Sequence, residues 1–364
     1  MKDLTPQFDF DDILIVPKVK TDITSRYKDI KLPETLPLFT APMDTVVNIS
    51  NMDVFLENGI NVTLPRTIVY EQFIQASYGN VFYGRKNKNT YDNVFISMGF
   101  ETLEAELKEN LKTIPTNACI LIDVANGHMQ KVVDYAKRIK AIKPQVKIMA
   151  GNIGNPETYT WYANHGCFDY VRVGIGNGGG CLTTKQSGVG FPMASLIHGV
   201  RQQKENYIRF YKEGDFPAPA IVADGGMKDY SDVIKALALG ADYVMLGSIF
   251  NKAFESCAKN YLYGVRLNKR LAKYFFNKGY PVKKYFRGMS TKEAQKAMGK
   301  TNFKTSEGVV RYRKVEYHLK GWTENFEHYL RNAMSYSNAK TLEEFIGNVE
   351  ICQITKNAYD RFNK

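Results

Sequence analysis

The chain has 364 residues, 44% of them hydrophobic, and a formal charge of +12, which is enough for one large core or two modest ones. Five scattered cysteines (Cys119, Cys167, Cys181, Cys257 and Cys352) form no C-x-x-C pair. This argues against a zinc ribbon or a disulfide framework and suits a reducing compartment.

The N-terminus MKDLTPQFDFDDILIV has no basic segment followed by a long apolar run, so a signal peptide is not expected. No stretch approaches the roughly 20 apolar residues of a membrane span. A soluble cytoplasmic protein is expected. The basic residues are spread out and include no glycine-aromatic RNA motif, so the charge reads as attraction for a phosphorylated substrate rather than for nucleic acid.

After the lead-in FDFDDILIVPK, short apolar runs recur: LPLFTAPM (36–43), INVTLPR (60–66), NVFISMG (93–99) and ACILIDVAN (118–126). They continue with VKIMAGN (146–152), YVRVGIG (170–176), AIVADGG (220–226) and YVMLGSI (243–249). Each is nearly continuous in apolar character, as strands buried on both faces should be. Helical patterns lie between them, among them ETLEAELKENLKTI (101–114), MQKVVDYAKRIKAI (129–142) and YSDVIKALALG (230–240). Eight strands alternating with helices predict an α/β fold, a (β/α)8 barrel. An open doubly wound sheet is disfavoured because no G-x-G-x-x-G turn follows the first strand.

Polar and glycine residues cluster just after the strands: Asp44, Arg66, Asp123, Asn152, Cys181, Asp224 and Ser248. In a barrel these positions converge on the catalytic face. The last third is longer than a closing helix needs, and its lysines and glycines suit a mobile flap at about 253–321 with a helical extension. No internal repeat or linker interrupts the chain, so one domain over 1–364 is expected.

The densest chemical signal is VRVGIGNGGGCLTTKQSGVG, Val171 to Gly190. Glycines let backbone approach a ligand closely, and a thiol at the tip of such a loop is accessible. Cys181 and Thr183 stand two apart there. Backbone carbonyls of the same turn can bind a monovalent cation. ADGG (223–226) and LGS (246–248) follow the seventh and eighth strands, at the corner of a barrel where glycine amides commonly cradle a phosphate. Glu307, in SEG, can orient a hydroxyl, although a lone carboxylate is more often a surface group.

Taken in order, FDFDDILIVPK, APMDTV, DVANG, AGNI, GIG-x-G-x-x-C, SGVG, ADGG and GMS resemble the IMP dehydrogenase and GMP reductase family over nearly the whole chain. The resemblance implies a barrel, a purine nucleoside 5′-monophosphate, a nicotinamide cofactor and a homotetramer. It implies that Cys181 attacks carbon 2 of the purine and that Thr183 and Glu307 relay a proton. Asp224, Gly225, Gly226, Gly247 and Ser248 match ribose and phosphate contacts. Met43, Gly288, Met289 and Ser290 match base and phosphate contacts. Asp123, Val124, Ala125 and Asn152 would lie beside the nicotinamide, and Ser25, Arg26 and Arg66 near the cofactor's adenosine phosphates. Gly176, Gly178 and Cys181 would offer carbonyls to potassium.

Two branches of the family differ in chemistry. The dehydrogenase oxidises IMP to XMP with NAD and activates water through an Arg-Tyr pair on a long flap, often with a regulatory insert after the second strand. Here LPRTIVYEQF runs on without an insert, and only a short segment without that pair separates GMST from SEG. This favours the reductase, which expels ammonia from GMP and uses NADPH to give IMP. A nucleotide-binding barrel acting as a sensor is the alternative outside enzymology. The chain departs from the family at Thr184, where an arginine is common, and at His128, which replaces an aromatic residue.

Overall fold

A computed structural model describes residues 5–82, 91, 93–210, 212, 216–299 and 308–362. A short strand, β1 (Ile13–Ile15), precedes the barrel. The eight strands of the main sheet follow: β2 (Leu38–Thr40), β3 (Thr63–Leu64), β4 (Phe95–Met98), β5 (Cys119–Asp123), β6 (Lys147–Ile153), β7 (Tyr170–Val173), β8 (Ala220–Asp224) and β9 (Tyr243–Leu246). All are parallel, in the order β2-β9-β8-β7-β6-β5-β4-β3. A parallel bridge between Phe39 and Asn61 joins the two ends and closes the barrel, with Thr40 N donating to Asn61 O at 2.9 Å. Each strand falls within one of the eight apolar runs, except that β6 extends one residue past its run, to Ile153.

Strand side chains alternate between two cores. On β5, Cys119 and Leu121 point into the barrel with Phe39, Phe95, Met149, Val222 and Met245. Ile120 and Ile122 face the surrounding helices. Burial on both faces explains why the runs read as continuous apolar segments. Phe39 packs edge-to-face against Phe95, Tyr170 and Tyr243, with ring centroids 5.7, 6.1 and 5.2 Å away, so the barrel is filled rather than hollow.

The connecting helices are α1 (Met52–Glu57), α2 (Tyr70–Phe82), α3 (Phe100–Lys108), α4 (Gln130–Ile142) and α5 (Glu157–Ala163). After β7 come α6 (Thr183–Ser187) and α7 (Met193–Arg209), after β8 α8 (Tyr230–Ala238), and after β9 α9 (Ser248–Lys252). Helix α3 is shorter than its sequence pattern, which runs on to Ile114. Asn110 takes the left-handed conformation that asparagine tolerates, and Leu111 N closes on Glu106 O at 2.8 Å, which ends the helix and buries Leu111.

The stretch expected as a flap has its own architecture. Strands β10 (Asn260–Leu262), β11 (Val265–Leu267), β12 (Lys283–Arg287) and β13 (Val310–Lys314) form an antiparallel sheet in the order β11-β10-β12-β13. Helix α10 (Lys269–Asn277) contributes Ala272 to a small core with Phe254, Val282 and Val315. A short helix, α11 (Lys292–Ala297), follows β12. Lys284 on β12 is buried and donates to the carbonyls of Phe254 (2.9 Å) and Ser256 (2.7 Å), tying this sheet to the chain that leaves the barrel. Helix α12 (Leu319–Tyr336) then completes the helical ring, and its Trp322 stacks on Tyr230 of α8 at 5.2 Å. After α13 (Leu342–Phe345), β14 (Ile351–Gln353) pairs antiparallel with β1, and α14 (Lys356–Phe362) ends the described chain.

Candidate active site

The C-terminal ends of the barrel strands surround a cavity of about 260 Å³. The loop after β2 contributes Met43, and the loop after β3 contributes Arg66. Asp123, Val124 and Ala125 come from the end of β5, and Asn152 from β6. The glycine loop after β7 supplies Gly176, Gly178, Cys181 and Thr183. Asp224, Gly225 and Gly226 follow from β8, and Gly247 and Ser248 from the β9 corner. Gly288, Met289 and Ser290 reach the cavity from the end of β12.

Two predicted residues stand apart. Arg26 donates to Asn332 Oδ1 at 2.8 Å, and the Ser25 amide donates to Asp29 Oδ2 at 2.9 Å, neither in the cavity. Asn332 lies late in α12, roughly 20 Å along that helix from its start at 1.5 Å per residue. Glu307 lies outside the described residues.

The cavity floor is a chain of alternating charges. Arg172, from the middle of β7, is 8% exposed. Its Nη1 donates to Asp123 Oδ1 at 2.8 Å, and its Nε and Nη2 meet Asp224 Oδ2 at 3.1 and 2.9 Å. Asn152 Nδ2 donates to the same Asp224 oxygen at 2.9 Å. Burial works against the charge on Arg172, but Asp224 and Asp123 hold its pKa above the ordinary guanidinium value. The second oxygen of Asp123 lies 3.0 Å from Arg66 Nε. That ion pair is not aligned as a hydrogen bond, so the buried Arg66 N–H stays unsatisfied. Three donors thus converge on Asp224 Oδ2, and Oδ1 is the oxygen left to accept from a ligand.

Arg172 was absent from the residues singled out in the sequence, though a signal existed. Val171 and Val173 face the helices, so the residue between them must face inward, and a buried arginine requires partners.

The loop that carries Cys181 is laced to the outer sheet. Cys181 Sγ donates to Thr183 Oγ1 at 3.2 Å, and Cys181 N donates to Gly178 O at 2.9 Å. Cys181 bridges Gly308 antiparallel, and Val309 N donates to Gly180 O at 3.1 Å. Thr184 Oγ1 donates to Val189 O at 2.8 Å, filling the space beside Gly176 and Gly190. At the opposite corner, Gly225 and Gly226 adopt φ of +91° and +89°, which glycine reaches without strain. A Cβ at Gly247 would stand 2.9 Å from Met43 Sδ, so Met43 packs directly on that glycine.

Asp44 forms an ion pair with Arg287, at the end of β12, and so anchors the outer sheet rather than lining the cavity. His128 receives the Gly154 N–H on Nε2 at 3.0 Å, which puts its proton on Nδ1, facing Thr158 Oγ1 at 2.9 Å. Burial lowers its pKa, in keeping with a neutral ring that braces the loop after β6. Among the described residues, no group of three or more His, Cys, Asp or Glu side chains could hold a metal ion, and no helix is long and apolar enough to cross a membrane.

A family model described as IMP dehydrogenase / GMP reductase domain matches residues 7–361. GMP reductase of Caenorhabditis elegans is 26% identical, over 98% of this chain and 94% of that protein. GMP reductase 2 of Homo sapiens is 28% identical, over 98% and 97% respectively. GMP reductase of Streptococcus pyogenes is also 28% identical, over 93% and 92%.

Proposed function

The chain belongs to the IMP dehydrogenase / GMP reductase family, and within it we propose that it is a GMP reductase converting GMP to IMP and ammonia with NADPH. The observation that carries this reading is the 3.2 Å contact between Cys181 Sγ and Thr183 Oγ1 in a loop bridged to Gly308, the residue after Glu307. The thiol and the hydroxyl line the cavity together, and the chain rejoins them at Gly308.

The phosphate of GMP is held by the amides of Gly225, Gly226 and Gly247 and the hydroxyl of Ser248. Asp224 Oδ1 accepts from the ribose. Met43, Gly288, Met289 and Ser290 meet the purine. The Cys181 thiolate forms a bond to C2 and raises a tetrahedral centre there. Thr183, oriented by Glu307, passes a proton to the 2-amino group, which leaves as ammonia with the C2–N electron pair. The sulfur stays bonded to C2 as a thioimidate. Reduction at C2 and breaking of the S–C2 bond return the electron pair to sulfur and free IMP.

When bound, NADPH supplies the hydride for that reduction. The cavity fits such a group: the unsatisfied Arg66 Nε is a donor awaiting a polar acceptor, and Val124, Ala125 and Asn152 line the same cavity. Potassium would be held by the carbonyls of Gly176, Gly178 and Cys181 and would steady the nucleophile loop. The same reading assigns a homotetramer, which light scattering tests.

The deciding experiment supplies GMP with NADPH and, separately, IMP with NAD. GMP-dependent NADPH oxidation with release of ammonia is expected. Cys181→Ala should abolish it while GMP still binds, because the phosphate and ribose contacts come from other loops. Steady XMP formation without GMP-dependent NADPH oxidation would make the chain a dehydrogenase. Binding without either turnover would make it a sensor.

A further inference from the structure

We infer that Arg313 supplies the positive charge that meets the 5′-phosphate of the bound purine nucleotide. This rests on the reading that the phosphate lies at Gly225, Gly226, Gly247 and Ser248, which are glycine and serine positions without a cation of their own.

Strands β12 and β13 pair Lys284 with Arg313 and Phe286 with Arg311. Directly opposed residues share a face, and so do alternate residues, so three cations and one aromatic ring stand on one face of the sheet. Lys284 spends its ammonium on backbone carbonyls. Arg313 lies with its guanidinium 4.1 Å from the centre of the Phe286 ring, which itself lines the cavity. Among the described residues no carboxylate forms an ion pair with Arg313. Glu316, the acid that acts on it electrostatically, is joined to Lys252 at 3.1 Å. Burial and the neighbouring Arg311 both disfavour its charge.

The guanidinium is nevertheless aimed at the nucleotide corner. A Cβ built on Gly179 would stand 3.0 Å from Arg313 Nη2 and 4.0 Å from Ser248 Oγ. Arg313 and the Ser248 hydroxyl therefore flank the same glycine of the nucleophile loop. The sum of those distances puts them at most about 7 Å apart, a gap that one phosphate spans with a hydrogen bond of about 2.8 Å on each side. A half-buried cation without an acidic partner is unfavourable until an anion arrives. A phosphate there relieves that cost and gains charge-assisted bonds. The ligand is thus the nucleoside monophosphate and not the nucleoside.

The test is calorimetric binding of GMP, guanosine and inorganic phosphate to the full chain and its variants. Arg313→Met keeps an apolar cover on Phe286 and removes the charge, and Arg313→Gln does so with a polar end. Each should weaken GMP by roughly 10- to 100-fold, the scale for losing a charge-assisted bond, while guanosine affinity stays put. Arg313→Lys should recover part of the loss, since it restores charge without the planar fork. Inorganic phosphate should bind the wild type more tightly than Arg313→Met. Unchanged GMP affinity in both neutral variants overturns the inference. So does an equal loss for GMP and guanosine, which marks Arg313 as a packing residue only. If the wild type itself binds guanosine as tightly as GMP, the phosphate cradle is wrong and this inference goes with it.

Discussion

Arg172 holds Asp224 by two nitrogens on a single carboxylate oxygen, Nε at 3.1 Å and Nη2 at 2.9 Å, and so decides which oxygen of Asp224 faces the cavity. The same guanidinium reaches Asp123 at 2.8 Å. One buried cation therefore orients the acids at the ends of β5 and β8. Arg172→Met would leave two carboxylates facing each other with no charge between them. We expect a loss of stability on the order of 3–5 kcal/mol, the scale for breaking a buried pair, and a matching loss of nucleotide affinity. Arg172→Lys should not restore either, because one ammonium cannot replace a fork that engages both acids. Thermal unfolding with and without GMP checks this. A lysine variant that behaves as wild type would show that charge alone suffices.

Most of the barrel was legible in the sequence because each strand is buried on both faces. Runs such as ACILIDVAN carry that burial in their composition alone, and the polar residues after them had to meet at one end of the barrel. The outer sheet was not legible. KKYFR of β12 and VRYRK of β13 have alternating burial or largely exposed faces and many charges, so they resemble solvated loop until the sheet pairs them. Asn110 hid the end of α3 inside a good helical pattern. Arg26 is held by α12, some 300 residues away, a contact that no local pattern encodes.

Gly176 has φ +82°, and a Cβ there would stand 1.7 Å from Thr184 Oγ1. Gly176→Ala should displace Thr184, release its bond to Val189 O and loosen the loop that carries Cys181. Turnover and melting temperature should both fall. In the double variant with Thr184→Ala the 1.7 Å clash is removed, leaving a tight 3.0 Å contact with the Cβ of residue 184 and a left-handed strain of about 1 kcal/mol. The double variant should therefore be more stable than Gly176→Ala alone. Simple additivity of the two losses would show that the clash is not the cause.

Asp232, in the first turn of α8, is 3% exposed, and burial pushes its carboxyl up to about 6. Between the ordinary value of 3.8 and about 6, the folded carboxyl keeps its proton while the unfolded one has lost it. The folded state then binds more protons, so this group's contribution to stability falls as pH rises through that window. At one pKa unit per ~1.4 kcal/mol the change is on the order of 3 kcal/mol. Asp232→Asn has no proton to lose. Measured by denaturant unfolding, its stability relative to wild type should rise from pH 4 to pH 6 and then level off. A constant difference across that range would mean that Asp232 titrates normally.

The choice between the two reactions of the family turns on Thr183 and Glu307. On the proposed reading, both reactions begin with Cys181 on carbon 2. They part at the group that leaves or attacks that carbon. Hydrolysis needs a base that activates water, and the segment between Met298 and Glu307 has no Arg-Tyr pair to serve as one. Loss of ammonia instead needs a proton delivered to the departing nitrogen. The Thr183 hydroxyl is 3.2 Å from the sulfur, so on the proposed reading it would stand beside the carbon that the sulfur attacks. Thr183→Ala and Glu307→Gln should each slow GMP-dependent NADPH oxidation by roughly 10²-fold or more, the usual scale for losing an acid-base group. GMP affinity should change little, since neither residue belongs to the phosphate or ribose contacts. Two residues acting as one relay should also be non-additive, so the double variant should be scarcely slower than either single one. If the losses multiply, the two act separately and ammonia must draw its proton from elsewhere.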